Sequence, residues 1–292
     1  MKLVLSCLLF SLIFSQTDVV LYELSVNKKG DYSLKKPLNI SNRSGYDNQP
    51  KFGKAGWNLY YSSNRDGKQT DIYRYHIPFK KEYNISETPD NSEYSPQPTP
   101  LLVEISAVKV TGDLQNLWIY PIDNYAPVPV KAVFFDKVGY YCWIGNKAIA
   151  AFVLPAPFDL YWYDIKTSKY TKITNNIGRS LHENQKTGRL NFLKKKTDTQ
   201  YEIYELIWSK NEKGEEMFEI KKVIDGLDNS QDFAISKDGD YVMAQGTVLY
   251  LAKHGSKKWV KFYDVKKDKF GNVTRLDISN RLEHLAVTVD RN

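Results

Sequence analysis

The chain has 292 residues, 42% of them hydrophobic and 14% aromatic, so it can bury a core of its own. It has only 2 cysteines, and the first lies in the initial apolar segment, which leaves Cys142 as a buried thiol and excludes a disulfide-stapled fold. The formal net charge is +7, but the lysines are spread among acidic residues. We interpret them as protection of strand edges and expect no nucleic-acid partner.

The first predicted element is a targeting segment at residues 1–15, MKLVLSCLLFSLIFS. Lys2 precedes an apolar run with small residues near Ser15, which is the pattern of a secretory signal peptide. This run is too short to span a bilayer, and no later run is long enough. We therefore expect cleavage after Ser15, a periplasmic or secreted protein and no transmembrane segment. Cys7 could indicate a lipoprotein, but it lies inside the apolar run instead of after it.

Residues 47–77 predict three successive antiparallel strands joined by short turns. The strands fall near Pro50 to Phe52, at Asn58 to Ser62 and at Asp71 to Ile77. Glycine- and asparagine-containing turns separate them, and apolar residues alternate with polar ones within them. This combination is typical of a β-meander.

An internal repeat extends this pattern along the chain. The motif of the third strand appears as LYEL, IYRY, LWIY, LYWY, IYEL and LYLA. The aromatic residue at its second position is Tyr22, Tyr73, Trp118, Tyr161, Tyr204 and Tyr250 in turn. The separations are 51, 45, 43, 43 and 46 residues, which is the spacing of four-stranded propeller blades. The sequence therefore predicts an all-β, six-bladed β-propeller with four antiparallel strands in each blade.

Two flanking strands and the closure of the ring complete this prediction. A second strand is predicted at Leu102 to Val108 and an outer strand at Val130 to Phe135. The last strand, His284 to Val289, lacks two partners, and these stand at the other terminus, at Asp18 to Leu24 and Tyr32 to Ile40. We expect N- and C-terminal strands to close the last blade, because an open ring would expose strand edges. Residues 16–292 would then form one domain.

The words SSNRDG, at residues 62–67, and DIYRY, at 71–75, resemble the repeat of TolB-type β-propellers, which are related to WD-repeat proteins. The resemblance covers the whole mature chain and is sharpest at residues 47–75. It implies a scaffold or binding platform, since TolB itself is periplasmic and binds an envelope lipoprotein at its propeller. We expect no counterpart of the α/β domain that precedes the propeller in TolB. The expectation is therefore a stand-alone exported propeller.

The candidate site is the mouth of the central channel, where the loops leading into the innermost strands converge. The predicted partner-binding residues are Glu93, Tyr94, Tyr140, Arg179, His182, Asp232 and Arg275. Arg65, Asp66 and the proline-rich turn from Leu154 to Phe158 are expected around them. Arginines and aromatic rings at a concave mouth favour an anionic or peptide ligand.

A structural interpretation of the same residues remains open. Arg179 and Arg275 could pair with Glu93 and Asp232 as a network across the channel. His182 could equally be a hydrogen-bonded channel residue without a chemical role. Asp47 could bond to the local backbone and tie blades together.

An enzyme is the second functional hypothesis, because some propellers hold a divalent cation at the channel mouth and act as lactonases or lyases. Of the 4 histidines only His182 falls at the mouth. A calcium site from Asp47, Glu93 and Asp232 would lie beside two arginines, which disfavours a cation. Ser180 and His182 lack a nucleophile elbow and an aspartate partner.

We therefore expect an exported, monomeric binding or scaffold protein without a metal, a cofactor or catalytic residues. Its partner would be an envelope protein or peptide at the channel mouth. The alternative is a carbohydrate- or lactone-active enzyme with a metal at that mouth.

Overall fold

The computed structural model describes residues 16–65, 67–101, 103–122, 129–132 and 136–291. The predicted signal peptide, Cys7, Asp66, Leu102 and residues 133–135 of the predicted outer strand lie outside these ranges. Within them, no helix is long and apolar enough to cross a membrane. The described part of the chain is built from strands, with a short 3₁₀ helix at Val265–Asp268. The all-β prediction is confirmed.

The strand bounds follow the predicted repeat closely. In chain order the strands are β1 (Thr17–Val26), β2 (Tyr32–Asn39), β3 (Tyr46–Phe52), β4 (Asn58–Asn64), β5 (Asp71–His76), β6 (Lys81–Asn84), β7 (Ser92–Pro98), β8 (Glu104–Thr111), β9 (Leu114–Pro121), β10 (Val130–Lys131), β11 (Val138–Ile144), β12 (Ala148–Val153), β13 (Asp159–Asp164), β14 (Lys169–Thr174), β15 (Ile177–Asn184), β16 (Arg189–Lys195), β17 (Tyr201–Lys210), β18 (Glu216–Asp225), β19 (Phe233–Ile235), β20 (Tyr241–Gln245), β21 (Val248–Ala252), β22 (Val260–Asp264), β23 (Val273–Ile278) and β24 (His284–Asp290). Of the predicted outer strand at residues 130–135, the described part forms only the two-residue β10.

Consecutive strands pair into antiparallel sheets of four. The sheets β7–β10, β11–β14, β15–β18 and β19–β22 are separate. A larger sheet contains two groups of four, β23-β24-β1-β2 and β3–β6. A parallel pairing between Thr17 and Tyr46 joins these two groups.

The two ends of the chain share one of these groups. β1 pairs antiparallel with β24, from Thr17 opposite Asp290 to Glu23 opposite His284. The other edge of β1 pairs with β2. The predicted closure by N- and C-terminal strands is confirmed.

The hydrophobic core lies between neighbouring sheets. Leu160 and Phe192, for example, come from the successive sheets β11–β14 and β15–β18 and belong to one buried cluster. A further cluster joins Leu21 of β1 to Tyr61 of β4 and so packs the two halves of the larger sheet together. Burial of both sheet faces explains why second strands such as β12 are almost uniformly buried.

A central channel runs along the innermost strand of each group of four. These strands contact one another in the order β3, β7, β11, β15, β19, β23 and back to β3. Their side chains therefore meet around one axis. This ring positions the candidate site.

Candidate functional site at the channel mouth

The innermost strands bring most of the predicted site residues together. A narrow channel segment of about 70 Å³ is lined by Tyr140, Arg179, His182, Asp232 and Arg275, among others. Tyr94, on β7, lines the wider opening beside it. Apart from Asp232, these residues lie within strands and not on the loops expected from the sequence.

Glu93 does not join this group. Its side chain is fully buried between sheets, where it accepts hydrogen bonds from Thr88 Oγ1 at 2.6 Å and Tyr120 Oη at 3.2 Å. Burial raises the pKa of its carboxyl. Neighbours along a strand point to opposite faces, so Tyr94 reaches the opening whereas Glu93 ties β7 to β9.

Other residues expected near the mouth have partners elsewhere. Asp47 is fully buried and pairs with Arg43. Arg65 pairs with Glu82 at 2.9 Å, and its guanidinium carbon lies 3.7 Å from the centre of the Tyr73 ring. These contacts support a structural role for Asp47 and Arg65.

Arg179 and Arg275 form the arginine level of the channel, next to the opening. Arg275 Nη2 donates to Tyr140 Oη at 2.9 Å, and Arg179 Nη2 donates to the Thr274 carbonyl at 3.0 Å. Asp232 instead accepts from the Leu276 amide at 3.0 Å. Among the described residues, neither arginine forms an ion pair within 4.0 Å with a carboxylate. The cross-channel network considered from the sequence is therefore not formed.

The two guanidinium groups make the arginine level electropositive. Burial and the charge of Arg275 together lower the pKa of Arg179. Burial alone would raise the pKa of Tyr140, but the charges of Arg275 and Arg179 outweigh it and hold that pKa below its usual value. An incoming anion would experience the same positive field.

The opening above the arginine level is wide and largely apolar. Its volume is about 520 Å³, and its walls include Tyr94, Tyr140, Phe152, Leu154 and Phe158. The Phe152 and Phe158 rings stack with centroids 4.5 Å apart, and Tyr140 meets Phe152 edge-on at 5.3 Å. Gly139 leaves room for this cluster, because a Cβ there would lie 3.0 Å from Phe152 Cδ1.

Solved structures of known proteins share this arrangement of sheets around a channel. A protein assigned as TolB from Agrobacterium tumefaciens aligns with a TM-score of 0.69 at 12% identity, over 95% of this chain and 99% of that one. A gluconolactonase from Xanthomonas campestris aligns with a TM-score of 0.63 at 8% identity, over 92% and 95%. A chain of the nidogen–laminin complex gives 0.62 at 10%, over 89% and 97%.

The chain has the β-propeller fold. Its structural neighbours include TolB and WD-repeat propellers, at low sequence identity. No protein-family model matches the sequence, and no curated protein matches it.

Deeper in the propeller channel lies a second charged group, the lysine level, formed by Lys51, His182 and Asp277. Lys51 Nζ pairs with Asp277 Oδ1 at 2.8 Å and approaches His182 Nδ1 at 3.4 Å. The other Asp277 oxygen accepts from the Phe52 amide at 2.8 Å. Here, the cation has a carboxylate partner within the protein.

The hydrogen bonds of His182 determine whether its ring can accept a proton from Ser180. A protonated lysine only donates, so Nδ1 of His182 accepts from Lys51 and Nε2 carries the proton. That Nε2 then donates to Ser180 Oγ at 3.1 Å. Ser180 Oγ also bonds to the Phe233 amide and carbonyl, at 3.3 Å each. His182 is therefore not placed to take a proton from Ser180, as nucleophilic catalysis would require.

The structure adds residues that the sequence reasoning missed. Lys51 and Asp277 are absent from the predicted site residues, although a charged residue on a central strand is itself a signal of a channel contact. Phe152 is likewise absent from them. In the described ranges no group of three or more histidine, cysteine, aspartate or glutamate side chains could hold a metal ion.

Proposed function

We propose that the protein is an exported, non-enzymatic binding or scaffold propeller with a protein or peptide partner at the channel mouth. The observation that carries this proposal is the arginine level, where two enclosed guanidinium groups lack a carboxylate partner among the described residues. Buried charges normally require neutralisation. A negatively charged partner group would supply it.

The remaining features fit a single exported module. The division of the larger sheet into two groups of four strands supports the proposal of six blades in one domain over residues 16–292. The signal-like segment at residues 1–15 supports cleavage after Ser15 and a periplasmic or secreted location. The TolB-like and nidogen–laminin neighbours support a protein partner, and we propose a monomer as the working unit.

A carbohydrate- or lactone-active enzyme is the second candidate, favoured by the gluconolactonase neighbour. The serine–histidine contact argues against nucleophilic catalysis, since His182 donates to Ser180. Metal analysis separates the candidates: stoichiometric calcium or manganese in the purified protein would favour the enzyme.

The direct experiment is co-purification from the native envelope with tagged wild type and an Arg179→Gln/Arg275→Gln variant. We expect the wild type to retain a partner that the variant loses. Arg281→Gln is the matched control, because this exposed arginine pairs with Glu283, at 3.3 Å, and does not line the channel mouth. Equal retention of the partner by the double variant would contradict the proposed site.

A further inference from the structure

Two compartments at the channel mouth differ greatly in size, and a third, of about 470 Å³, adjoins Arg179 and Asp232. The aromatic opening encloses about 520 Å³, whereas the narrow segment that holds both arginines encloses about 70 Å³. Arg179 and Tyr140 line both and so mark the boundary. A polypeptide cannot thread through the narrow segment, but a small terminal group can enter it. The ligand must therefore end at the arginine level.

The arginine level has hydrogen-bond donors that the described residues leave unused. Arg179 Nε is buried and has no hydrogen-bond partner among the residues that the structure describes. One terminal nitrogen of Arg179 bonds to the Thr274 carbonyl, and one of Arg275 bonds to the Tyr140 hydroxyl. A guanidinium has five N–H donors in a planar fork that matches a carboxylate. The free donors therefore fit a planar, two-oxygen acceptor.

The charges at this level favour a monoanion. Two arginines contribute +2 and Asp232 contributes −1, which leaves one positive charge without compensation. The Lys51–Asp277 pair below is neutral as a unit. A carboxylate balances this excess, whereas a phosphate dianion would exceed it and be repelled by Asp232.

The aromatic opening determines which chemical group can lie next to the bound anion. Phe152, Phe158, Leu154 and Tyr94 offer an apolar surface directly above the arginines. Its volume lies in the range of small-ligand pockets, roughly 300–1,000 Å³. The group next to the carboxylate must therefore be apolar to gain from this contact.

We infer that the site binds the C-terminal end of a polypeptide whose last side chain is apolar. The terminal carboxylate reaches Arg179 and Arg275, and the last side chain packs on Phe152 and Phe158. This assignment rests on the proposed binding function and specifies the chemistry of its ligand.

The test compares matched tripeptides by calorimetry on the full mature chain. Gly-Gly-Phe with a free carboxylate should bind at least about tenfold more tightly than its C-terminal amide, because a charge-assisted hydrogen bond is lost. Gly-Gly-Ser as the free acid should bind more weakly than Gly-Gly-Phe. No detectable binding of Gly-Gly-Phe, or equal binding of acid and amide, would overturn the inference.

A further probe distinguishes the source of the carboxylate. Gly-Asp-Phe amide carries its only carboxylate on a side chain. Binding of this peptide as tight as that of Gly-Gly-Phe would reject recognition of a chain end. Tighter binding of phenyl phosphate than of 3-phenylpropionate would reject a carboxylate ligand altogether.

Variants separate the two compartments. Arg179→Gln and Arg275→Gln should abolish the preference for acid over amide, whereas Phe158→Ala should weaken the preference for phenylalanine over serine and retain the acid preference. Arg281→Gln should keep both. An unchanged acid preference in both arginine variants would overturn the assignment. If peptide binding fails while arginine-dependent capture of an envelope partner persists, only the ligand class is rejected and the proposed function stands.

Discussion

The arginine level and the lysine level are two charged layers of one channel, and they differ in what neutralises them. At the lysine level the Lys51 ammonium lies 2.8 Å from Asp277. At the arginine level Asp232 bonds to a backbone amide, and Arg275 bonds to a tyrosine hydroxyl. Both layers are enclosed by the same strands. A charge with a built-in partner supports the fold, whereas a charge without one is available to a ligand.

One strand contributes to both layers. Arg275 and Asp277 are two residues apart on β23, so their side chains point to the same face and into the channel. The difference between the layers therefore comes from their neighbours and not from the backbone. Lys51 approaches Asp277 from β3, whereas no described carboxylate on a neighbouring strand pairs with Arg275.

The largest expected effect is at the lysine level. Asp277→Asn keeps an acceptor for the Phe52 amide but leaves Lys51 enclosed without a counter-charge. We expect a loss of about 3–5 kcal/mol in the free energy of unfolding, measured by urea denaturation. Lys51→Met combined with Asp277→Leu should recover part of this loss, because no charge is then left unpaired. If Asp277→Asn lowers the free energy of unfolding by less than about 1 kcal/mol, the lysine level does not stabilise the fold more than the arginine level does.

At the arginine level the same kind of change should cost little stability. Arg275→Gln and Arg179→Gln each remove one hydrogen bond and no ion pair, so we expect a change of about 1 kcal/mol or less in the free energy of unfolding. Urea denaturation beside Asp277→Asn measures it. A loss of about 3 kcal/mol or more without any binding defect would identify the arginines as structural.

The pH dependence of stability sharpens the description of the lysine level. Burial and the nearby charge of Lys51 hold the pKa of His182 well below its usual value. The unfolded state therefore binds a proton near pH 6.5 that the folded state does not. Stability should fall as the pH drops below about 6.5, by up to about 1.4 kcal/mol per pH unit for this group.

Urea denaturation of wild type and His182→Gln at pH 7.5 and 5.5 measures this contribution. The variant should show a smaller loss at pH 5.5. Some loss should remain, because burial also lowers the pKa of His284. An identical pH dependence in both proteins would indicate that His182 becomes protonated in the folded state.

The smallest effect concerns access to the lysine end of the channel. Cys142 is a free, buried cysteine, as the sequence predicted, and burial raises the pKa of its thiol to about 12. We expect no reaction with a thiol reagent at pH 8 until the protein is unfolded in urea. Rapid labelling of the folded protein would show that this end of the channel opens.

The sequence predicted the fold better than the site, for a physical reason. Aromatic motifs such as the one at Tyr73 recur in the third strands, and the spacing between these motifs requires a repeated meander. The direction of a channel side chain depends instead on local register. Register shifts interrupt β7 between Tyr94 and Gln97 and β15 between Ile177 and Leu181. Each shift changes which residues face the channel, and simple alternation cannot reveal it.

The sequence could predict which residues line the channel where the residue type alone limits their position. The same channel segment is lined by Arg179, Arg275 and Tyr140, as predicted. Arginine and tyrosine on central strands must place their polar groups where they can be solvated or hydrogen-bonded, and the channel provides such a place. Glu93 was misjudged because a buried glutamate between sheets looks the same in sequence as one in a channel. Lys51 and Asp277 come from opposite parts of the chain, and only the closed ring brings them together.

The pairing of β1 with β24 gives the protein a particular order of assembly. The ribosome makes β1 long before its partner β24, so the apolar strand VVLYEL has one free edge while the intervening chain is synthesised. Contacts between such distant residues form late and slowly, because a very long loop must close first. The nascent β1–β2 hairpin is thus a point where a chaperone would protect the chain from aggregation.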